Sequence, residues 1–178
     1  MKKFIVSSVI FSACCTATPA LADLKAAIAA GENGDFKAEV RELVPLAKDG
    51  NAEAQALLGE LYQLGLGLKL DVKQATRLYR LSAAQGNPKA LLSLGALHGS
   101  GLLEGDGTGP IKDSSKILGP ALFILSAEGG NETAADDVRA DRKNMPAMQI
   151  RQAEALANEM RKNGNFSKAM DDYISRSK

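Results

Sequence analysis

Apolar residues return along this chain at helical spacing, and the helices they mark come in pairs. Leu24 to Ala30 is a short Ala-rich stretch that Gly31 stops, and Asn33-Gly34-Asp35 is a turn with Asp35 placed as an N-cap. Phe36, Val40, Leu43, Val44 and Ala47 then fall at i, i+4, i+7, i+8 and i+11, one face of a helix. Pro45 lies inside that helix, where an interior proline costs about 3 kcal/mol and predicts a kink near Arg41. The next helix runs from about Ala52 to Leu64, with Ala54, Leu57, Leu58, Leu61 and Tyr62 on one side. Leu64-Gly65-Leu66-Gly67 is a turn, and Asp71 caps a second helix whose inward set is Ala75, Leu78, Tyr79, Ser82 and Ala83. Gly59 falls mid-helix at about 1 kcal/mol relative to Ala, a cost usually offset by close approach of another backbone.

This two-helix unit repeats. Gly50-Asn51 recurs as Gly86-Asn87 thirty-six residues on, and Ala90, Leu94, Gly95 and Gly101 follow Ala54, Leu58, Gly59 and Gly65 at the same offset. Pro88 suits the first position of the new helix. Gly130-Asn131 comes forty-four residues after Gly86-Asn87, so residues 102–112 hold an insertion. Leu122, Phe123 and Ala127 restore the register forty-four after Leu78, Tyr79 and Ala83, and Pro120 is either a kink or the start of a shortened helix. Thr133 to Arg142 begins a third copy that has lost most large apolar residues. Pro146 to Lys162 is amphipathic, with Ile150, Ala153, Leu156, Ala157 and Met160 against Arg151, Glu154, Asn158 and Arg161, the polar outer face a capping helix needs. Asn165 caps a last short helix to about Ser175, striped by Phe166, Ala169, Met170, Tyr173 and Ile174; the expectation is that it packs on the capping helix rather than plugging a groove. A helix pair recurring at this period is the mark of a stacked solenoid.

The pattern A-x-x-x-L-G-x-x-Y-x-x-G-x-G followed by D-x-x-x-A-x-x-x-Y-x-x-x-A-A-x-x-G-N resembles the SEL-one-like repeat (SLR) family, within the tetratricopeptide-like helical repeats. Ala54, Leu58, Gly59, Tyr62, Gly65, Gly67, Asp71, Ala75, Tyr79, Ala83, Ala84, Gly86 and Asn87 match it, and Ala90, Gly95, Ala127 and Gly130 repeat it. The stretch from Leu122 through Met145-Pro146-Ala147 to Met160 looks like the end of short bacterial members. Departures are His98 in the place of Tyr62, Leu103 where Gly67 would recur, and Gly119 for Ala75. The resemblance implies an all-α, right-handed α-solenoid of antiparallel helix pairs that presents a groove to protein or peptide partners. Gln55, Gln63 and His98 are the groove candidates. The penicillin binding associated with a cysteine-rich branch is not carried over, because the mature chain expected below has no cysteine.

The first residues read differently from the rest. Lys2 and Lys3, the apolar run from Phe4 to Ala13, and the small residues of Ala20-Leu21-Ala22 predict a secretory signal peptide over 1–22, cleaved before Asp23. The run is shorter than the roughly 20 apolar residues a bilayer core requires. Residues 23–164 are then the repeat domain and 165–178 the terminal helix, in a periplasmic or secreted protein. The only cysteines, Cys14 and Cys15, lie in the leader, so the expected mature chain has no disulfide or thiolate site. The alternative is a lipoprotein anchored through Cys14, whose preceding residues loosely resemble a lipobox.

Removal of Lys2 and Lys3 leaves twenty basic side chains against twenty-one acidic ones, no excess with which to neutralise phosphates, so nucleic acid is not an expected partner. Aromatics make up only 4% of residues while Ala and Leu abound, which suits close helix packing rather than strands. His98 is the only histidine, and its repeat position is that of a packing tyrosine. Asp136-Asp137 and Asp171-Asp172 diverge on a helix. Glu104 to Gly109 carries oxygen ligands and glycines without the spacing of a calcium hand or a P-loop. No catalytic, cofactor or metal site is therefore assigned. The expected function is a non-enzymatic protein-interaction module of the bacterial envelope; the alternative is a small periplasmic hydrolase or ligand-binding protein centred on His98.

Overall fold

In a computed structural model the described residues are 19–100, 115–162 and 164–176. They form α1 (Pro19–Glu32), α2 (Phe36–Lys48), α3 (Ala52–Leu64), α4 (Val72–Ala83), α5 (Pro88–Gly99), α6 (Ser115–Glu128), α7 (Glu132–Asn144), α8 (Ala147–Arg161) and α9 (Phe166–Arg176), with no strand among the described residues. The leader through residue 18, both cysteines, and residues 102–112 with the Glu104–Gly109 stretch lie outside the described residues.

One short junction is used repeatedly. Gly50, Gly86 and Gly130 end helices in the left-handed region, at φ 89, 82 and 92°, which a side chain tolerates poorly. The next residue's N–H bonds back across the turn: Asn51 to Leu46, Asn87 to Ser82 and Asn131 to Ser126. The same asparagine side chains then accept from the N–H groups of Ala54, Ala90 and Ala134, capping the following helix at 2.9–3.0 Å. The Gly-Asn dipeptide thus terminates one helix and starts the next. Asp35 and Asp71 cap α2 and α4 in the same manner.

α1 with α2, α3 with α4, and α5 with α6 are the packed pairs, and α2 on α3, α4 on α5 and α6 on α7 join them in series. Inside the second and third pairs the repeat positions meet in the same way. A Cβ on Gly59 would lie 2.9 Å from the Tyr79 ring, and one on Gly95 would lie 2.6 Å from Phe123 and 3.2 Å from the Gly119 carbonyl. Gly59, the mid-helix glycine of the second pair, therefore makes room for an aromatic side chain, not for a backbone as the sequence suggested. Gly67 lies against the Phe36 backbone, so the turn after α3 packs on the start of α2. A serine clamp also repeats: Ser82 Oγ donates to the Ala52 carbonyl and Ser126 Oγ to the Pro88 carbonyl, both at 2.6 Å.

Several elements depart from the sequence reading. α1 ends at Glu32, one residue past Gly31, and the missing Cβ of Gly31 also leaves room for the Glu39 carboxylate of α2. Pro120 is interior to α6 rather than the start of a shortened helix, while Pro45 lies inside α2 as its sequence position implies. α8 begins at Ala147, with Pro146 as its cap residue. The third copy does not close as a pair. Ala134 is the buried residue of α7, which leaves α8 little apolar surface there; α8 packs on α6 instead, joining Ala153 and Ala157 to Ile117 and Ala121. α9 packs on α8, as expected, but it folds back rather than adding a layer. Phe166, Ala169, Met170 and Ile174 belong to the cluster of Tyr79, Ala83, Leu91, Leu94, Leu118, Leu122 and Met160, and Asp171 pairs with Arg80 of α4. The Asn165 side chain turns back to Glu159 instead of capping α9.

Candidate functional site

The repeat-defining residues go into the stack. Ala54, Ala75, Tyr79, Ala83 and Ala90 are buried, while Tyr62 packs partly buried against both main clusters. Of the three groove candidates, Gln55 is only 4% exposed; its amide donates to the Ala47 carbonyl at 3.1 Å and its oxygen accepts from Gln85 at 2.9 Å. His98 is 6% exposed, on the packed side of α5. Gln63 is half-buried and accepts the Tyr79 hydroxyl at 2.8 Å. The structure does not bring Gln55 and His98 to one surface with Gln63.

Gln63 instead belongs to a row that the first reading did not single out. α3 contributes Glu60 and Gln63, one turn apart, and α5 contributes Lys89, Ser93 and Ala96, at i, i+4 and i+7. Lys89 Nζ meets Glu60 Oε2 at 2.6 Å across the repeat boundary, and both side chains are half-exposed. The Tyr79 hydroxyl lies behind this row. Burial pushes it up to about 12, with the Ser93 hydrogen bond opposing and the Glu60 charge adding. Asn87 Nδ2 donates to Glu53 Oε2 at 2.9 Å, which adds a second polar link between the same two repeats.

Glu39 of α2 is 7% exposed and interacts electrostatically with this row. Its carboxyl is held above the usual range by burial first and by Glu60 second, while Lys89 acts in the opposite sense. A Cβ on Gly31 would lie 2.5–2.8 Å from the carboxylate atoms, so the group rests directly on the α1 backbone. The signal for it was present in the register. Glu39 stands thirty-six residues before Ala75, which stands forty-four before Gly119. A carboxylate therefore occupies a position that the other two copies fill with the smallest residues.

The remaining acidic pairs are dispersed. Asp136 pairs with Arg139, and Asp171 with Arg80, while Asp172 lies 4.0 Å from Arg176. Asp141 has its carboxyl raised by burial and, secondarily, by Asp137. Among the described residues no three His, Cys, Asp or Glu side chains come together as a metal site would require. No described helix is long and apolar enough to cross a membrane. Two open clefts flank α9, one of about 510 Å³ between α8 and α9 and one of about 440 Å³ where Gly86, Glu128 and Arg161 approach Phe166.

These features define an all-α solenoid of stacked helix pairs with a polar face spanning two repeats. More narrowly, the chain has the SLR fold. It is similar to the solved structure of c5321, a protective antigen present in uropathogenic Escherichia coli strains and displaying an SLR fold, at 22% identity and TM-score 0.66 over 90% of this chain and 32% of that one. It is also similar to a Sel1 repeat protein from Oxalobacter formigenes, at 20% identity and TM-score 0.58 over 78% of this chain and 58% of that one. The chain thus spans about a third of the first structure and under two thirds of the second. No family model and no curated protein matches the sequence.

Proposed function

We propose that this chain is an exported, non-enzymatic interaction module of the bacterial envelope that holds a protein or peptide along the face of α3 and α5. The observation that carries this reading is the row of Glu60, Gln63, Lys89 and Ser93. Two successive repeats present a carboxylate, an amide, an ammonium and a hydroxyl on one side, while the apolar positions of the same helices go into stacking. Such a face offers many weak polar contacts along a length of chain, which suits an extended partner better than a small substrate. The single histidine faces the core, away from that row, which favours binding over general-base chemistry. The leader features of residues 1–22 support export, with the mature chain starting at Asp23.

The test is affinity capture from an envelope extract with the wild-type protein and Ala96→Arg as parallel baits. Ala96 is exposed on the same side of α5 as Lys89 and Ser93, so the substitution adds bulk and charge to the face without entering the core. A partner retained by the wild type and lost by Ala96→Arg at equal melting temperature is the expected result. Identical capture by both baits would remove the α3/α5 face from the account.

A further inference from the structure

Glu39 is more than nine-tenths buried, yet among the described residues it has no hydrogen bond or ion pair to hold its carboxylate. Buried carboxylates are costly unless paired, and residues of this kind gather where a ligand supplies the missing partner. Gly31 leaves it space against α1, where a Cβ would come within 2.5–2.8 Å of the three carboxyl atoms and the flexible Glu39 side chain would have to move aside. Glu60 stands near enough to act on it electrostatically, and among the described residues the opposing charge acting there is Lys89. Lys89 is already drawn to Glu60, through a half-exposed pair of the kind that contributes little and exchanges readily. Two carboxylates thus share one loosely held ammonium, Glu39 buried and Glu60 half-exposed.

We propose that the Glu39–Glu60 carboxylate pair takes a cationic side chain, a lysine ammonium or an arginine guanidinium, from the bound protein or peptide. The assignment rests on the reading that the α3/α5 face binds protein, and it names the chemistry of the residue that enters. The incoming cation pairs with Glu39, and Lys89 remains with Glu60 or swings to solvent. A charged group placed there makes the charge-assisted contacts that Glu39 lacks in the unbound chain, so the gain on binding is larger than at an exposed carboxylate.

The test uses random dodecapeptides displayed on phage and selected on the full chain, followed by affinity measurements on one enriched peptide. An aligned lysine or arginine in the enriched pool is expected. Glu39→Gln/Glu60→Gln should then bind that peptide at least tenfold more weakly while melting no lower than the wild type. Replacing the basic residue of the peptide by norleucine should weaken binding to the wild type by a similar factor and leave binding to the double variant unchanged. This cycle also isolates the pairing from any change in folding. Enriched peptides with no basic position, or full affinity in the double variant, overturn the cationic assignment and leave the protein-binding reading standing. No enriched peptide at all overturns both.

Discussion

Gly59 and Gly95 show how single residues hold this array together. Each lies mid-helix, where glycine is unfavourable, and each faces an aromatic ring of its partner helix. Gly59→Ala would place a methyl group 2.9 Å from the Tyr79 ring, which must shift although its hydroxyl is tied to Gln63. The gain in helix propensity is about 1 kcal/mol, against about 1–3 kcal/mol for overpacking a tight core. Net destabilisation of about 1 kcal/mol is therefore expected in chemical denaturation, and an unchanged or higher midpoint would mean that α4 yields without cost. Glu39 gives the opposite kind of prediction. Its pKa is raised in the folded chain above the ordinary 4.5, so the folded state holds the proton more tightly than the unfolded chain does. Its contribution is fully present below that ordinary value and is lost as pH rises through the raised one. Glu39→Gln should accordingly melt higher than the wild type at neutral pH, with the gap closing as pH falls towards the ordinary carboxylate range. A gap that is constant with pH would mean that the Glu39 charge is not what costs stability.

At the scale of elements, the sequence was most legible where junction chemistry and periodicity agree. α3, α4 and α5 begin where Asn51, Asp71 and Asn87 cap them, because the same glycine and asparagine positions recur with the apolar register. It was least legible where one residue serves two ends. Gly31 reads locally as a stop, and α1 ends one residue after it, but its contact with the carboxylate of α2 is long-range and invisible in the local pattern. Pro45 lies inside α2 as its position implies, while Pro120 left a kink and a shortened helix open locally and is interior to α6. For the candidate site, Gln63 is half-buried beside Glu60 while Gln55 and His98 point inward, since repeat position alone does not say which polar side chain the stack will use. The α9 stripe was legible, its destination was not. Because Phe166, Met170 and Ile174 are buried in the central cluster, at about 1.5–3 kcal/mol for each large apolar side chain, deletion of residues 165–178 should lower stability by at least about 3 kcal/mol. It should not increase partner affinity. A truncated protein that melts as before and binds more tightly would make α9 a displaceable plug.

The whole molecule is a series of similar interfaces rather than a single centre. One cluster joins α1 to α3, a second runs from the α3/α4 pair through α6 to α8 and α9, and a third binds α6 to α8. Stability in such an array is shared between neighbouring helix pairs, which frees a side of the stack for recognition. The free side proposed here is that of α3 and α5, where Glu60 and Lys89 cross the repeat boundary above Glu39. Its role is tested most directly by a photo-crosslinking residue placed at Ala96, on that face, and in a second protein at Arg151, exposed on α8. Irradiation of cells producing each protein should give a discrete protein adduct from position 96 and none from position 151. No adduct from position 96, or the same adduct from both, would contradict the account.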